Sequence, residues 1–402
     1  MFFKINLISC SRGSQTFQIQ VDVIKTCLRM DIPWRIRYIL EEIRPEARAV
    51  VASLEILTRI ARHSPDAAQS VLDCPRLMES IFNFFLPVDW HSLNRNRDQG
   101  ATDNVYGLPV RQVLRLARVI ASWNIELATR LVSKYSLLES IKIYVAMDTA
   151  ELRLPTQEAL LLVLDCYHTW RTLLRQGIGM QSFLDFYPAW FPQLLFYQKS
   201  VSMDGTPTGS NVRFSHQLGC SMLLLMEALL SMCCRSGNRQ HVQVMQVGGL
   251  REVVEMCVAK WTWQLRQLTD PIPESAGCLL AAGIHLLATF YTHWNDPQAS
   301  VLLDQLCTSH ILPLLHSEPI NELAKSLIRH SNLSSTLQSC LRNPETLPSV
   351  NATAMDGDLV PILAPSSPFP LFTSIFRLLR IWKTKCVSSK VILCVPILET
   401  TR

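Results

Sequence analysis

A sixty-residue internal repeat sets the tightest limit on how this chain can fold. Leu77-Met-Glu-Ser-Ile81 returns as Leu137-Leu-Glu-Ser-Ile141. Running backwards at the same offset, Val71 pairs with Leu131, Ala68 with Ala128, Asp66 with Glu126 and Ser64 with Asn124. Further back, Ile60 pairs with Ile120, Leu54 with Leu114 and Val50 with Val110. Apolar matches apolar, helix cap matches cap, and acid matches acid, without a gap. Such a match means that one structural unit is built twice, each copy burying its apolar face against its neighbour.

The unit itself reads as three helices. From Ala47 to Arg62, apolar residues recur at three-and-four spacing on one face. Ser64 is a natural N-cap, Pro65 suits the first helical position, and Asp66 complements the helix dipole. This second helix runs to about Asp73. Cys74 precedes a proline and is biased away from helical geometry, and a third helix is expected from Pro75, with Leu77, Met78, Ile81 and Phe85 inward and Pro87 as its stop. Looser copies place further anchors at Phe191, Leu250 and Ile311.

Glycine is scarce (14 against 22 prolines), 48% of residues are hydrophobic, and alternating strand-like runs are nearly absent. The expected fold is therefore all-α, an armadillo/HEAT-like α-solenoid with loop insertions. Its period exceeds the usual ~40 to 47 residues, the excess lying in the polar insertions Trp90 to Gly107 and Val201 to Asn211. Along the chain we expect an atypical amino-terminal segment (1–20), a helical repeat domain (21–329), a linker or loose loop (330–366), one more helix (367–382) and an atypical tail (383–402).

Chemistry is harder to find. A net charge of +5 is mild for 402 residues and argues against direct nucleic-acid binding. The thirteen cysteines form no Cys-x-x-Cys pair, and many lie in apolar helical runs, which suits a reducing compartment. Met1 to Cys10 has no sustained signal-peptide core. Cys220 to Cys234, interrupted by Glu227, and Ala276 to Tyr291, interrupted by His285, fall short of a clean spanning helix and read as buried core, so no membrane association is expected. Asn332 and Asn351 match the glycosylation acceptor pattern, but no secretory signal accompanies them.

Cys74 and His63 suggest a thiol dyad, but no orienting Asp or Asn accompanies them, and the second copy replaces them with Lys134 and Trp123. Gly177-Ile-Gly179 lacks the third glycine and the preceding strand of a dinucleotide fingerprint. His285, His293 and Cys278 match no standard metal spacing. No cofactor, metal or catalytic residue is expected. One row points to a partner: Arg111, Arg115 and Arg118 share a helical face and could line a groove for an acidic segment, although an ordinary solvated flank fits them too.

The run Ala61-Arg-His-Ser64, Cys74-Pro-Arg-Leu-Met-Glu79, Phe85-Leu-Pro87 and Trp90 resembles the RNA polymerase II-associated protein 1 family. Leu114-Arg-Leu-Ala-Arg-Val119, Tyr187-Pro188 and Ser367-Pro-Phe-Pro370 add to the resemblance, which covers about Val21 to Trp382. It implies a non-enzymatic protein of nucleus and cytoplasm that associates with RNA polymerase II. It also implies a role in polymerase assembly and nuclear delivery, with GPN-loop GTPases and chaperones as partners. The family's chains are much longer, so a partial or alternatively spliced product is expected. Two other readings compete with this scaffold. One is an importin-type transport adaptor, disfavoured because Trp123, Trp170, Trp190, Trp261, Trp263 and Trp294 share no repeat position. The other is a thiol-dependent enzyme at Cys74.

Overall fold

In a computed structural model, the described residues are 15–42, 47–86, 107–146, 156–185, 203, 211–235, 249–269, 272–294, 296–329 and 369–386. Among them the chain is helical, with no strand. The loops at Trp90 to Tyr106 and Val201 to Asn211 (apart from Met203 and the helix start at Asn211), the anchor Phe191, the linker 330–366 and most of the tail lie outside the described residues. The chain divides into two compact units, Met1–Ile143 and Tyr144–Arg402.

The first unit contains the doubled motif. Helices α1 (Gln15–Arg29) and α2 (Ile32–Glu42) precede α3 (Ala47–His63), α4 (Pro65–Asp73) and α5 (Leu77–Phe85). The second copy is α6 (Gly107–Trp123), α7 (Ile125–Tyr135) and α8 (Leu137–Ala146). All three helices of the second copy start sixty residues after their counterparts. The caps match as well: Ser64 accepts from Ala67 N at 3.1 Å, and Asn124 from Leu127 N at 2.9 Å. Leu54, Leu57 and Ile60 of α3 and Leu114, Ala117 and Ile120 of α6 are all buried at equivalent positions. Trp123 Nε1 donates to Ala61 O at 2.8 Å, tying α6 to α3.

The third helix of the first copy begins at Leu77, two residues later than expected, because Arg76 turns into left-handed backbone (φ 62°) before the helix can propagate. Ser136 does the same before α8 (φ 52°), and Asp31 before α2 (φ 50°). Each corner residue gives its carbonyl to the N–H four residues on: Asp31 to Arg35 at 3.0 Å, Arg76 to Ser80 at 2.9 Å and Ser136 to Ser140 at 3.2 Å. The side chains at these recipient positions then join successive helices. Ser80 Oγ donates to the Glu41 carboxylate at the end of α2, and Ser140 Oγ donates to Leu86 O, just past α5, at 3.3 Å. Ion pairs Arg130–Asp73 and Lys134–Glu79 (2.9 Å) add further links, which contribute little because they are exposed and screened by water.

The second unit is built on longer helices. α9 (Thr156–Arg175) packs on α10 (Asn211–Arg235), which packs on α12 (Glu274–His293), which packs on α16 (Phe369–Lys385). Helix α11 (Leu250–Arg266) lies against α12, where Gly283 allows the close approach: a Cβ there would meet Val258 Cγ2 at 3.0 Å and the Trp261 ring at 3.2 Å. Trp382 Nε1 donates to Asp304 Oδ1 at 2.9 Å, and Lys385 Nζ to Trp294 O at 2.6 Å, fixing α16 at its carboxyl end.

Gly177 (φ 85°) closes α9 in a Schellman turn, its N–H reaching Leu174 O while Ile178 N reaches Leu173 O. Gly179 (φ 79°) then opens a helical segment at 180–185, and Gly249 (φ 75°) opens α11. Left-handed corners therefore precede Met180 and Leu250 in this unit. The expected anchor Ile311 is different: it ends a π-helical turn (Cys307–Ile311) that joins α13 (Pro297–Leu306) to α14 (Leu312–Leu315) without a corner. The widened turn precedes Pro313, which has no N–H for the regular ladder. Helix α15 (Glu318–Arg329) follows.

Candidate interaction surfaces and a buried charge cluster

Cys74 occupies the corner between α4 and α5 and is half-buried. Burial pushes its thiol above the ordinary value, and the nearby Asp31 and Glu41 add to this against the opposing charge of Arg37. A nucleophilic thiol needs the opposite shift. Every other cysteine with a resolved shift moves upward too, burial being the largest cause each time; Cys278, for example, is pushed up to about 12. These thiols behave as small apolar side chains.

The arginine row lies on α6. Arg111 and Arg115 are half-buried, whereas Arg118 is buried, with 7% of its surface exposed. Position i+7 on this helix thus points further into the body of the unit than the row's even spacing implies.

A buried polar site joins residues that sequence reasoning did not bring together. Helices α10 and α12 are each long and apolar enough to cross a membrane by length and composition, yet both are mostly buried inside the second unit. Their interrupting residues meet: His285 Nε2 lies 3.5 Å from Glu227 Oε1. Ser231 Oγ donates to the same carboxylate at 2.8 Å, and Thr289 Oγ1 at 3.3 Å. Arg377 of α16 enters from outside the pair, its Nη1 at 2.8 Å from His285 Nδ1 and its Nη2 donating to Thr289 Oγ1 at 3.2 Å. The same Nη1 is 3.1 Å from His285 Nε2, so the guanidinium is within reach of both ring nitrogens, and an imidazole that accepts from it is neutral.

The charges follow from this geometry. Burial alone would raise the Glu227 carboxyl, but the His285 contact, the Arg171 guanidinium and the Ser231 hydroxyl hold it well below the usual carboxylate range. Burial lowers His285, with Arg377 and Arg171 adding to it against the pull of Glu227. Arg171 is pulled down to about 9 by burial and by Arg175, and so remains charged at neutral pH. One carboxylate is therefore the counter-charge for several buried guanidiniums, with α16 clamped over it. The sequence signal was present, as one charge in the run Cys220 to Cys234 and one imidazole in the run Ala276 to Tyr291, but nothing in the spacing indicated that the two would face each other. No cluster of three or more His, Cys, Asp or Glu arranged for a metal occurs among the described residues, and His293 and Cys278 do not join His285.

Met30 (52%), in the turn after α1, and Trp34 (49%) and Tyr38 (49%) of α2 are among the exposed large side chains of the first unit. Trp34 and Tyr38 stack with centroids 6.4 Å apart, and Arg37 lies over the Trp34 ring at 5.5 Å. In the second unit Met256 and Trp263 of α11 are exposed.

No model of a known protein family matches the chain, and no solved structure matches it. Curated proteins do. The chain is 30% identical over 403 residues to RNA polymerase II-associated protein 1 of Bos taurus and 29% identical over 403 residues to that of Rattus norvegicus. It is 29% identical over 405 residues to that of Homo sapiens. Each alignment covers 94% of this chain and 28% of the relative, so the chain spans just over a quarter of the length of the curated relatives it matches. Over nearly all of its length, this chain is similar to RNA polymerase II-associated protein 1.

Proposed function

We propose that the chain is a non-enzymatic interaction scaffold of the armadillo/HEAT-like solenoid type. It associates with RNA polymerase II and supports its assembly, nuclear delivery or transcription. The observation that carries this is the alignment of 94% of the chain with proteins named for association with RNA polymerase II. The doubled three-helix unit supports the repeat reading, since stacked units present continuous surfaces for partners. The upward-shifted Cys74 thiol supports a chain without thiol chemistry. On this reading Arg111 and Arg115, the two half-buried members of the row, contribute to contacts with acidic segments of polymerase subunits, GPN-loop GTPases or chaperones, in nucleus and cytoplasm, while the buried Arg118 supports the helix face from within.

The test is affinity purification of the tagged chain from nuclear and cytoplasmic fractions, with and without residues 90–106. Co-purification of polymerase subunits with the intact chain is expected, weakened by Arg111→Glu and Arg115→Glu. Recovery of no polymerase subunit by the intact chain refutes the assignment.

A further inference from the structure

Helices α2, α5 and α8 are equivalent rungs of one ladder. Each follows a left-handed residue, and each places one residue at its fourth position: Arg35, Ser80 and Ser140. In the two inner rungs that residue is a buried serine whose hydroxyl donates to an acceptor at or just past the end of the preceding rung, Glu41 for Ser80 and Leu86 O for Ser140. Preceding them are Glu79 and Glu139. In the outermost rung the same two positions hold Trp34 and Arg35, and both are exposed. Arg35 donates from Nε to Met30 O at 3.0 Å, leaving its guanidinium plane at the surface.

We propose that this face of α2, the end of the ladder among the described residues, takes an amphipathic helix carrying an acidic residue, supplied by a partner protein, as its next rung. The polarity of the inner rungs specifies what such a helix must offer. It needs an acceptor near its carboxyl end, as Glu41 and Leu86 provide, and apolar contacts to cover Met30, Trp34 and Tyr38. A guanidinium in place of a serine hydroxyl calls for a carboxylate, because a charge-assisted pair is the stronger match. Exposed Lys25 and Arg29 on α1 add positive charge, beside exposed Asp22 and Asp31. A second copy set on this face about a twofold axis through it would oppose Arg35 to its own counterpart rather than to a carboxylate. A stacked Trp–Tyr pair beside an arginine has the composition of a binding anchor. This inference concerns the first unit alone and stands or falls independently of polymerase association.

The ladder supplies its own probe. A fluorescent synthetic peptide of residues 15–42 with Trp34→Glu and Tyr38→Glu retains Glu41 and can cap the row without extending it. A version stapled across one turn of residues 32–42 is run beside it, because short helices are marginal in isolation. Added to the full chain, the peptide should give saturable anisotropy binding that Trp34→Ala with Tyr38→Ala weakens about tenfold or more. Arg35→Glu in the chain should weaken it about fivefold, and peptide Glu41→Lys should restore binding to that variant. No binding by either peptide, or binding indifferent to all three chain substitutions, overturns the proposal. So does a chain lacking Met1–Ser14 that binds the peptide about tenfold better, which makes the amino terminus the occupant. A dimer in sedimentation that Trp34→Ala with Tyr38→Ala dissolves also overturns it, in favour of a second copy.

Discussion

Arg76 and Ser136, sixty residues apart, hold the same left-handed backbone, with φ of 62° and 52°, and each gives its carbonyl to a serine N–H four residues on. Neither side chain is needed for this geometry. Left-handed backbone costs a residue with a Cβ about 1 to 2 kcal/mol. Ser136→Gly should therefore raise the stability of the first unit by about 0.5 to 1 kcal/mol, and Ser136→Val should lower it by more than that. Urea unfolding followed by circular dichroism measures both, and a destabilising Ser136→Gly contradicts the corner geometry.

The matched caps make a second prediction. Ser64→Ala and Asn124→Ala each remove one side-chain acceptor from a helix start, at about 1 kcal/mol apiece. The sites share no partner in the hydrogen bonds described, so the double variant should lose roughly the sum.

The buried cluster should make the second unit acid-sensitive, and the sign can be worked out. His285 is held below its ordinary value when folded. Below about pH 6.5 the unfolded chain therefore binds a proton that the folded chain refuses, and stability falls as pH drops, by at most about 1.4 kcal/mol per pH unit for one site. Glu227 acts in the same direction at lower pH: its depressed folded pKa contributes stability above about pH 4.3, lost as pH falls towards the folded value. His285→Gln should flatten the loss between pH 6.5 and 5 relative to wild type. Equal slopes in urea titrations at those pH values count against the assignment.

Glu227 is also the counter-charge for Arg171 and Arg377, so removing it strands buried cations. Glu227→Ala should destabilise the second unit by about 3 to 5 kcal/mol. Arg377→Met, which leaves Arg171 with its carboxylate, should cost less. Thermal unfolding of the two variants sets their order.

Cys74 offers a chemical check. With its thiol raised by burial, it should alkylate with iodoacetamide at neutral pH no faster than the comparably half-buried Cys27 and Cys234. Peptide mass mapping after a short pulse measures this, and selective labelling of Cys74 contradicts it.

Helix phasing, the Ser64 and Asn124 caps and the sixty-residue period all depend on local side-chain chemistry, so they can be read from residue order alone. The Leu-Glu-Ser-Ile motif was legible as a repeat in the same way, but its purpose was not. That Ser80 and Ser140 are rungs between successive helices is set by packing between residues distant in sequence. Left-handed backbone at Arg76 was equally hidden, since arginine carries no preference for it. The pairing of Glu227 with His285 under Arg377 brings together three helices separated by up to 150 residues. Sequence determined which faces are apolar; only the tertiary structure decided which lone charges share a buried site, because a buried charge is defined by what surrounds it.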